Sequence, residues 1–283
     1  MDRSGGVTTH VVREGDARDL GWIETESVHL VVTSPPYGSL KAYPDHPGQL
    51  GNIPAYDEFL DQLDRVWREC LGVLVPGGRV ACVAGDVCIS RRTGGRHHVL
   101  PLSGDIQVRA RRLGFDCLTP IRWLKVANIA LEASRSRRYL GKPNLPNGVV
   151  KNDMEHVLFL RKPGGYRRPT PEMEERSRIS TEDYVRWFAP VWTGVTGQVR
   201  RDHPAPYPVE VPRRLIRMFS FAGDVVLDPF AGTGTTALAA MEAGRSSISV
   251  EIEPTYVDLA ERRLASVALG ARLDVVRAPV AGW

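Results

Sequence analysis

The residue types best suited to chemistry in this chain stand together at Thr33-Ser34-Pro35-Pro36-Tyr37. The apolar run at residues 28–32 precedes them and reads as a short buried strand, which puts a hydroxyl, two prolines and an aromatic ring at a strand's carboxyl end. Open α/β sheets place their sites at that edge. Two consecutive prolines remove two backbone donors and hold the chain extended, so the carbonyls of Ser34 and Pro35 lack helical partners and can accept from a ligand. With Tyr37 offering a flat face beside them, the group suits a planar heterocycle that carries an exocyclic amino group. A proline turn that only ends a strand uses the same residues, so these five alone leave both readings open.

A second stretch reads as a nucleotide site. Residues 225–227 form a predicted strand, Asp228-Pro229-Phe230-Ala231-Gly232-Thr233-Gly234-Thr235-Thr236 a glycine-bearing turn, and 237–243 a helix. A further strand at 246–250 then ends at Glu251, where a ribose-binding carboxylate would stand. Gly232 and Gly234 let backbone approach a ligand closely. No Gly-Lys-Ser/Thr follows, so the turn is not a P-loop, and it lacks the third glycine of the pyrophosphate fingerprint. An adenosine cofactor without phosphates accounts for Asp228 before the turn and Glu251 after the next strand, and S-adenosylmethionine is such a molecule.

The elements needed to position these groups are strands of one parallel sheet. Strands are also predicted at 9–14, followed by Asp16, and at 79–84, followed by Asp86. Asp16 could accept from a ligand amine, although an Asp that caps the next turn uses the same position. Asp16, Ser34, Asp86, Asp228 and Glu251 thus each follow a strand, and a single parallel sheet would bring all five to one edge. Helices are predicted at 56–71, 102–113, 209–219 and 253–268, and further strands at 121–124 and 156–160. Residues 38–52 read as a mobile loop over the site, 87–98 as a basic loop, and 162–201 as an insert that is not sheet. Breakers at 73–78 end the first long helix, and the proline-rich 203–208 excludes regular structure.

At 283 residues the chain can bury one large core. No apolar run is long enough to span a bilayer, and residues 1–10 lack the apolar core of a signal peptide, so a cytoplasmic location is expected. Cys70, Cys82, Cys88 and Cys117 show no paired ligand spacing and are expected to be buried free thiols, with no metal site. The net charge is only +4, but residues 87–201 hold 22 Lys+Arg against 10 Asp+Glu, a surplus of 12, which leaves the rest of the chain at −8. A basic middle between acidic flanks points to a polyanion-binding surface. Aromatics interleaved with the basic residues, such as Tyr139 beside Arg137 and Arg138, fit phosphate and base contacts.

Thr33-Ser34-Pro35-Pro36-Tyr37 resembles the catalytic motif of the DNA amino-methyltransferases of bacterial modification systems, and the turn from Asp228 to Thr236 resembles their cofactor motif. The order, catalytic motif first, is similar to that of the circularly permuted beta subgroup. His203-Pro204-Ala205-Pro206-Tyr207-Pro208 resembles the segment that precedes the cofactor strand there and helps bind the methionine end. Ser249 stands where the family usually has glycine, and keeps a small residue there.

The resemblance covers nearly the whole chain and implies an α/β fold, the Rossmann-like methyltransferase fold, with a mostly parallel seven-stranded sheet and a small recognition insert. Residues 1–161 would form the catalytic half, 162–201 the target-recognition insert and 202–283 the cofactor-binding half. S-adenosylmethionine would meet Asp16, Thr33, His203, Pro204, the turn and Glu251. The implied chemistry is attack by an exocyclic amine on the methyl-sulfonium. The Ser34 hydroxyl and Pro35 carbonyl would draw the amino hydrogens out of the ring plane, Pro36 would help to hold the chain extended, Tyr37 would stack on the base, and Asp86 would accept the proton, through water if necessary.

An amino nitrogen hidden in duplex DNA must be reached by flipping the base out. The flanking phosphates would meet Arg91, Arg92, Arg96, Arg135, Arg137, Arg138, Arg167, Arg168, Arg200 and Arg201. Serine at the first motif position is associated in the family mostly with N4 of cytosine and aspartate with N6 of adenine. Ser34 therefore favours cytosine, with adenine the alternative. A catalytically silent DNA-binding module of the same fold, and a methyltransferase for RNA or a small molecule, are the rivals. The intact turn and acceptors count against the first, and the basic middle against a small substrate. The resemblance allows a cognate restriction endonuclease as partner and leaves monomer and homodimer open.

Overall fold

The structure is a computed structural model that describes residues 7–38, 43–125, 152–196, 208–268 and 270–277. Among these residues the strands are β1 (Thr9–Glu14), β2 (Val28–Thr33), β3 (Leu74–Ala84), β4 (Val87–Ile89), β5 (His98–Leu100), β6 (Asp116–Leu124), β7 (Met154–Arg161), β8 (Val191–Trp192), β9 (Val225–Asp228), β10 (Ser246–Glu251) and β11 (Arg272–Val276). The helices are α1 (Tyr56–Val73), α2 (Arg91–Gly94), α3 (Leu102–Arg112), α4 (Pro171–Ser177), α5 (Thr181–Trp187), α6 (Glu210–Phe219), α7 (Thr235–Glu242) and α8 (Pro254–Ala265).

Nine strands form one sheet in the order β11-β1-β10-β9-β2-β3-β7-β6-β8, and β4 pairs with β5 as a separate hairpin. Every neighbouring pair is parallel except β3 with β7 and β7 with β6, so β7 alone runs against the rest. The central strands are apolar runs because both faces are covered. In β3, Val80, Cys82 and Ala84 pack into a core with Phe59, Leu63 and Trp67 of α1 and Ile106 of α3. Ala81 and Val83 point the other way, into a core with Val211 and Leu215 of α6 and Ala240 of α7. Leu158 and Leu160 of β7 repeat that division against Val157 and Phe159. Helix α8 closes the far end through Val257, Ala260 and Leu264 against Val12. The result is a three-layer α/β/α arrangement, as expected.

Several boundaries differ from the sequence-based expectations, each for a local reason. The seven central strands are extended to nine by β11 and by the two-residue β8 at the edges. Val73 ends α1, and the breakers Pro76, Gly77 and Gly78 lie inside β3, where the ladder with β2 shifts register between Val28 and Leu30. The basic loop at 87–98 is the β4-β5 hairpin with α2 at its tip. The stretch 162–196 contains α4, α5 and β8, and β8 is fastened by two buried tryptophans, with Trp192 Nε1 donating to Trp187 O at 2.7 Å. Cys70 and Cys82 are buried and free, whereas Cys88 and Cys117 are free and exposed. Ser249 is buried in β10, and its hydroxyl has no hydrogen-bond partner. Among the described residues no helix is long and apolar enough to cross a membrane, and no His/Cys/Asp/Glu group could hold a metal ion.

Candidate active site

The chain leaves β9 towards β10 and β1 on one side, and leaves β2 towards β3 on the other. The boundary between β9 and β2 is therefore a topological switch point, where open α/β sheets form a crevice at the carboxyl edge. All five strands that carry the expected groups run parallel there. In sheet order the edge presents Asp16 after β1, Glu251 ending β10, Asp228 ending β9, Ser34 after β2 and Asp86 after β3.

A cavity opens at that crevice. Ser34, Pro35 and Pro36 form one wall, Asp16, Glu251 and Ile252 another, and Pro229 and Phe230 a third. Tyr43, Gly48, Gln49 and Leu50 complete it, so the loop expected over the site does wall it. Two glycines allow that fit. A β-carbon at Gly51 would collide with the Tyr43 ring, and one at Gly48 with the Ile252 side chain.

The two carboxylates in the cavity are held differently. Asp16 accepts at Oδ1 from the Arg18 backbone N–H (2.8 Å) and Nε (2.9 Å), and at Oδ2 from Arg18 Nη2 (2.5 Å). Arg18 in turn donates from Nη1 to Gln62 on α1 at 2.7 Å. Burial would raise the Asp16 pKa, but the Arg18 hydrogen bonds and charge outweigh it and hold this carboxyl below its ordinary value. Asp16 thus caps its own turn and also lines the cavity. Glu251 accepts from Gly232 N–H at 2.7 Å and from Glu253 N–H at 3.0 Å, but burial prevails and pushes its pKa up to about 7.

Behind the cavity, the rest of the glycine turn shapes backbone. Buried Asp228 accepts at Oδ1 from Thr33 Oγ1 at 2.6 Å and Phe230 N–H at 3.1 Å, which ties β9 to β2, and burial raises its pKa to about 6. Thr236 donates from Oγ1 to Val32 O at 3.4 Å. Gly234 has φ +74°, and a β-carbon there would sit 3.1 Å from that of Ala260, so this glycine serves the packing of α7 on α8. Of the expected cofactor residues, Asp16, Pro229, Phe230 and Glu251 line the cavity. Thr33, Asp228, Ala231, Gly232, Thr233, Gly234, Thr235 and Thr236 do not. His203 and Pro204 lie outside the described residues, as do Arg135, Arg137, Arg138, Arg200 and Arg201.

Asp86 stands outside the cavity wall, with Oδ1 accepting from Ser103 N–H at 3.0 Å and Ser103 Oγ at 2.7 Å, which fastens the end of β3 to the start of α3. Tyr37 turns its phenol away from the cavity to donate to Glu155 Oε1 at 3.2 Å, and Lys125 pairs with the same oxygen. Burial, followed by the Glu155 charge, holds the Tyr37 pKa well above its ordinary value despite a hydrogen bond from Ser34. Sequence reading missed Glu155 and Lys125, as well as Arg18 and Tyr43. Because β7 is antiparallel, its first residues, not its last, reach the catalytic edge, and β6 ends beside them at Lys125.

The same reversal moves Arg167 and Arg168. They follow the end of β7 and lie at the opposite edge, where Arg167 pairs with buried Asp224 beside His29. They are therefore removed from the expected DNA surface. Arg91, Arg92 and Arg96 are exposed on and beside the hairpin that leaves β3 at the catalytic edge.

The Glu251 pKa fixes a pH response. The folded protein retains a proton that the unfolded chain has lost above its ordinary 4.5, so this contribution to stability is present below that value and disappears as pH rises through about 7. Burial lowers the pKa of His10 and of His29, so their contribution runs the opposite way: the unfolded chain binds the protons, and stability rises as pH passes through their ordinary 6.5. The comparison with Glu251→Gln separates the two: relative to that variant, the cofactor-free protein is expected to lose on the order of 1 kcal/mol, a few degrees of melting temperature, between about pH 6.5 and pH 8. An identical pH dependence in the two proteins would contradict the assignment.

A model of the family described as DNA methylase matches residues 28–262. The chain belongs to this DNA methylase family. It is similar to the Type II methyltransferase M.MjaI of Methanocaldococcus jannaschii, with 35% identity over 91% of this chain and 92% of the relative. The Type II methyltransferase M.MthZI of Methanothermobacter thermautotrophicus is 32% identical over 91% of this chain and 77% of its own length. Among solved structures, TTHA0409 of Thermus thermophilus, complexed with S-adenosyl-L-methionine, superposes with a TM-score of 0.77 and is 48% identical, covering 95% of this chain and all of that one. The family, a DNA amino-methyltransferase family, is therefore the one that the two motifs and their order resemble. The donor set here also fits that cofactor's chemistry: two carboxylates for an amine and a ribose diol, with Phe230 and Ile252 as apolar walls.

Proposed function

We propose that this S-adenosylmethionine-dependent DNA methyltransferase modifies the exocyclic N4 of a cytosine flipped out of duplex DNA. The observation that carries the reading is that Ser34, Pro35 and Pro36 share one cavity with Asp16, Glu251 and Phe230. Amine acceptors and adenosine-binding groups thus meet at one switch point. When bound, S-adenosylmethionine supplies an electrophilic methyl group on a sulfonium centre.

The chain's own residues must make the amine nucleophilic, because an aromatic amine delocalises its lone pair into the ring. In this reading the Ser34 hydroxyl and the Pro35 carbonyl accept the two amino hydrogens and localise the lone pair towards the methyl group. A serine hydroxyl in place of a carboxylate favours cytosine, following the family pattern. Asp86 receives the displaced proton through water, and its bond to Ser103 sets the carboxylate's position. Asp86→Asn is then expected to lower turnover by about 10²-fold with cofactor affinity unchanged. Unchanged turnover in a direct assay would remove Asp86 from the proton path.

Arg91, Arg92 and Arg96 are assigned to the phosphates around the flipped base. Incubating the protein with cofactor labelled in the methyl group, and with duplex DNA or RNA in parallel, tests the substrate class. Label in duplex DNA alone is the expected result, and label in RNA alone would contradict the reading.

A further inference from the structure

Where the ends of β2, β3 and β6 meet the start of β7, three side chains are joined at the tyrosine of the Ser-Pro-Pro-Tyr motif. Tyr37 donates to Glu155 Oε1 at 3.2 Å, and Lys125 pairs with that same oxygen. Glu155 is only 13% exposed, whereas Lys125 is 38% exposed. Gly85 leaves the space for this arrangement: a β-carbon there would sit 3.1 Å from Glu155 Cγ and 3.6 Å from the Tyr37 ring. Among the described residues, the groups bonded to or paired with the Glu155 carboxylate are one phenol and one ammonium.

We propose that Glu155, tethered by Lys125, is the positioning residue for Tyr37, and fixes the plane of the ring on which the target base stacks. A nearly buried carboxylate is a poor source of stability, since its desolvation offsets much of what its partners return. What the ion pair does supply is a fixed point. The motif fixes the Tyr37 backbone at one end, and Glu155 fixes the phenol oxygen at the other, so the ring cannot tilt about its side-chain torsions. Small misplacements of a substrate near its reacting geometry are costly in rate, which gives ring orientation its leverage. This role rests on the proposed reading, in which a flipped base enters beside Tyr37.

The test is a double-mutant cycle on methyl transfer to unmodified plasmid DNA, using Tyr37→Phe, Glu155→Ala and the pair, with Glu155→Gln as the conservative variant. Tyr37→Phe keeps the ring and removes the tether. It and Glu155→Ala are each expected to lower kcat by about 10-fold, the worth of one hydrogen bond to a charged group, with the KM for cofactor unchanged. The double variant is expected to be no slower than the slower single one. Glu155→Gln, which still accepts from the phenol, is expected to recover much of the loss. Additive losses, or a fall confined to thermal stability, would overturn the positioning role while leaving the methyltransferase reading intact. No transfer to DNA by the unaltered protein would overturn that reading, and the role with it.

Discussion

Replacing Ser34 with alanine is expected to lower the turnover of methyl transfer to DNA by about 10²- to 10³-fold, the range associated with removing one preorganised hydrogen-bonding group from a reacting centre. The serine is placed by the end of a strand buried on both faces and by two prolines that prevent the chain from turning into a helix. Its hydroxyl can therefore accept from an amine at a fixed point on the cavity wall. Without it, one amino hydrogen stays in the ring plane and the lone pair remains delocalised. The carboxylates proposed to meet the cofactor, Asp16 and Glu251, belong to other strands, so cofactor affinity measured by calorimetry should change little. A variant with normal single-turnover rates would show that the hydroxyl does not act on the amine.

Glu251→Gln is expected to weaken cofactor binding by about 10- to 100-fold, the equivalent of one or two hydrogen bonds to a charged acceptor. Glu251 ends β10 and already accepts from the backbone N–H groups of Gly232 and Glu253, which aims the carboxylate across the crevice. The neutral amide cannot accept on both of its atoms, so a ribose diol would lose a partner. The same change removes the group that burial holds at about pH 7, so weaker binding and a loss of the Glu251 part of the pH dependence of melting should appear together in one protein. A general loss of structure would not produce both. Unaltered affinity in an equilibrium binding measurement would exclude Glu251 as the ribose ligand.

Asp16, Ser34, Asp86, Asp228 and Glu251 were legible in the sequence because each follows a short apolar run, and parallel strands bring their carboxyl ends to one edge. Reading could not separate the two jobs within the glycine turn. Phe230 faces the cavity whereas Gly234 serves helix packing, and only the approach of Ala260 reveals the difference. Glu155 and Lys125 were hidden by strand direction. A rule that looks just after each strand fails at β7, whose start lies at the catalytic edge, and it also misplaced Arg167 and Arg168. The hairpin β4-β5 and the strand β8 escaped because three-residue and two-residue strands show no period. β8 is set by Trp192, whose indole reaches the carbonyl of Trp187.

The most direct measurement is mass spectrometry of nucleosides released from DNA that the protein has methylated. N4-methylcytosine is the predicted product, because Ser34 places a hydroxyl, not a carboxylate, beside the Pro35 carbonyl. N6-methyladenine without N4-methylcytosine would contradict the account.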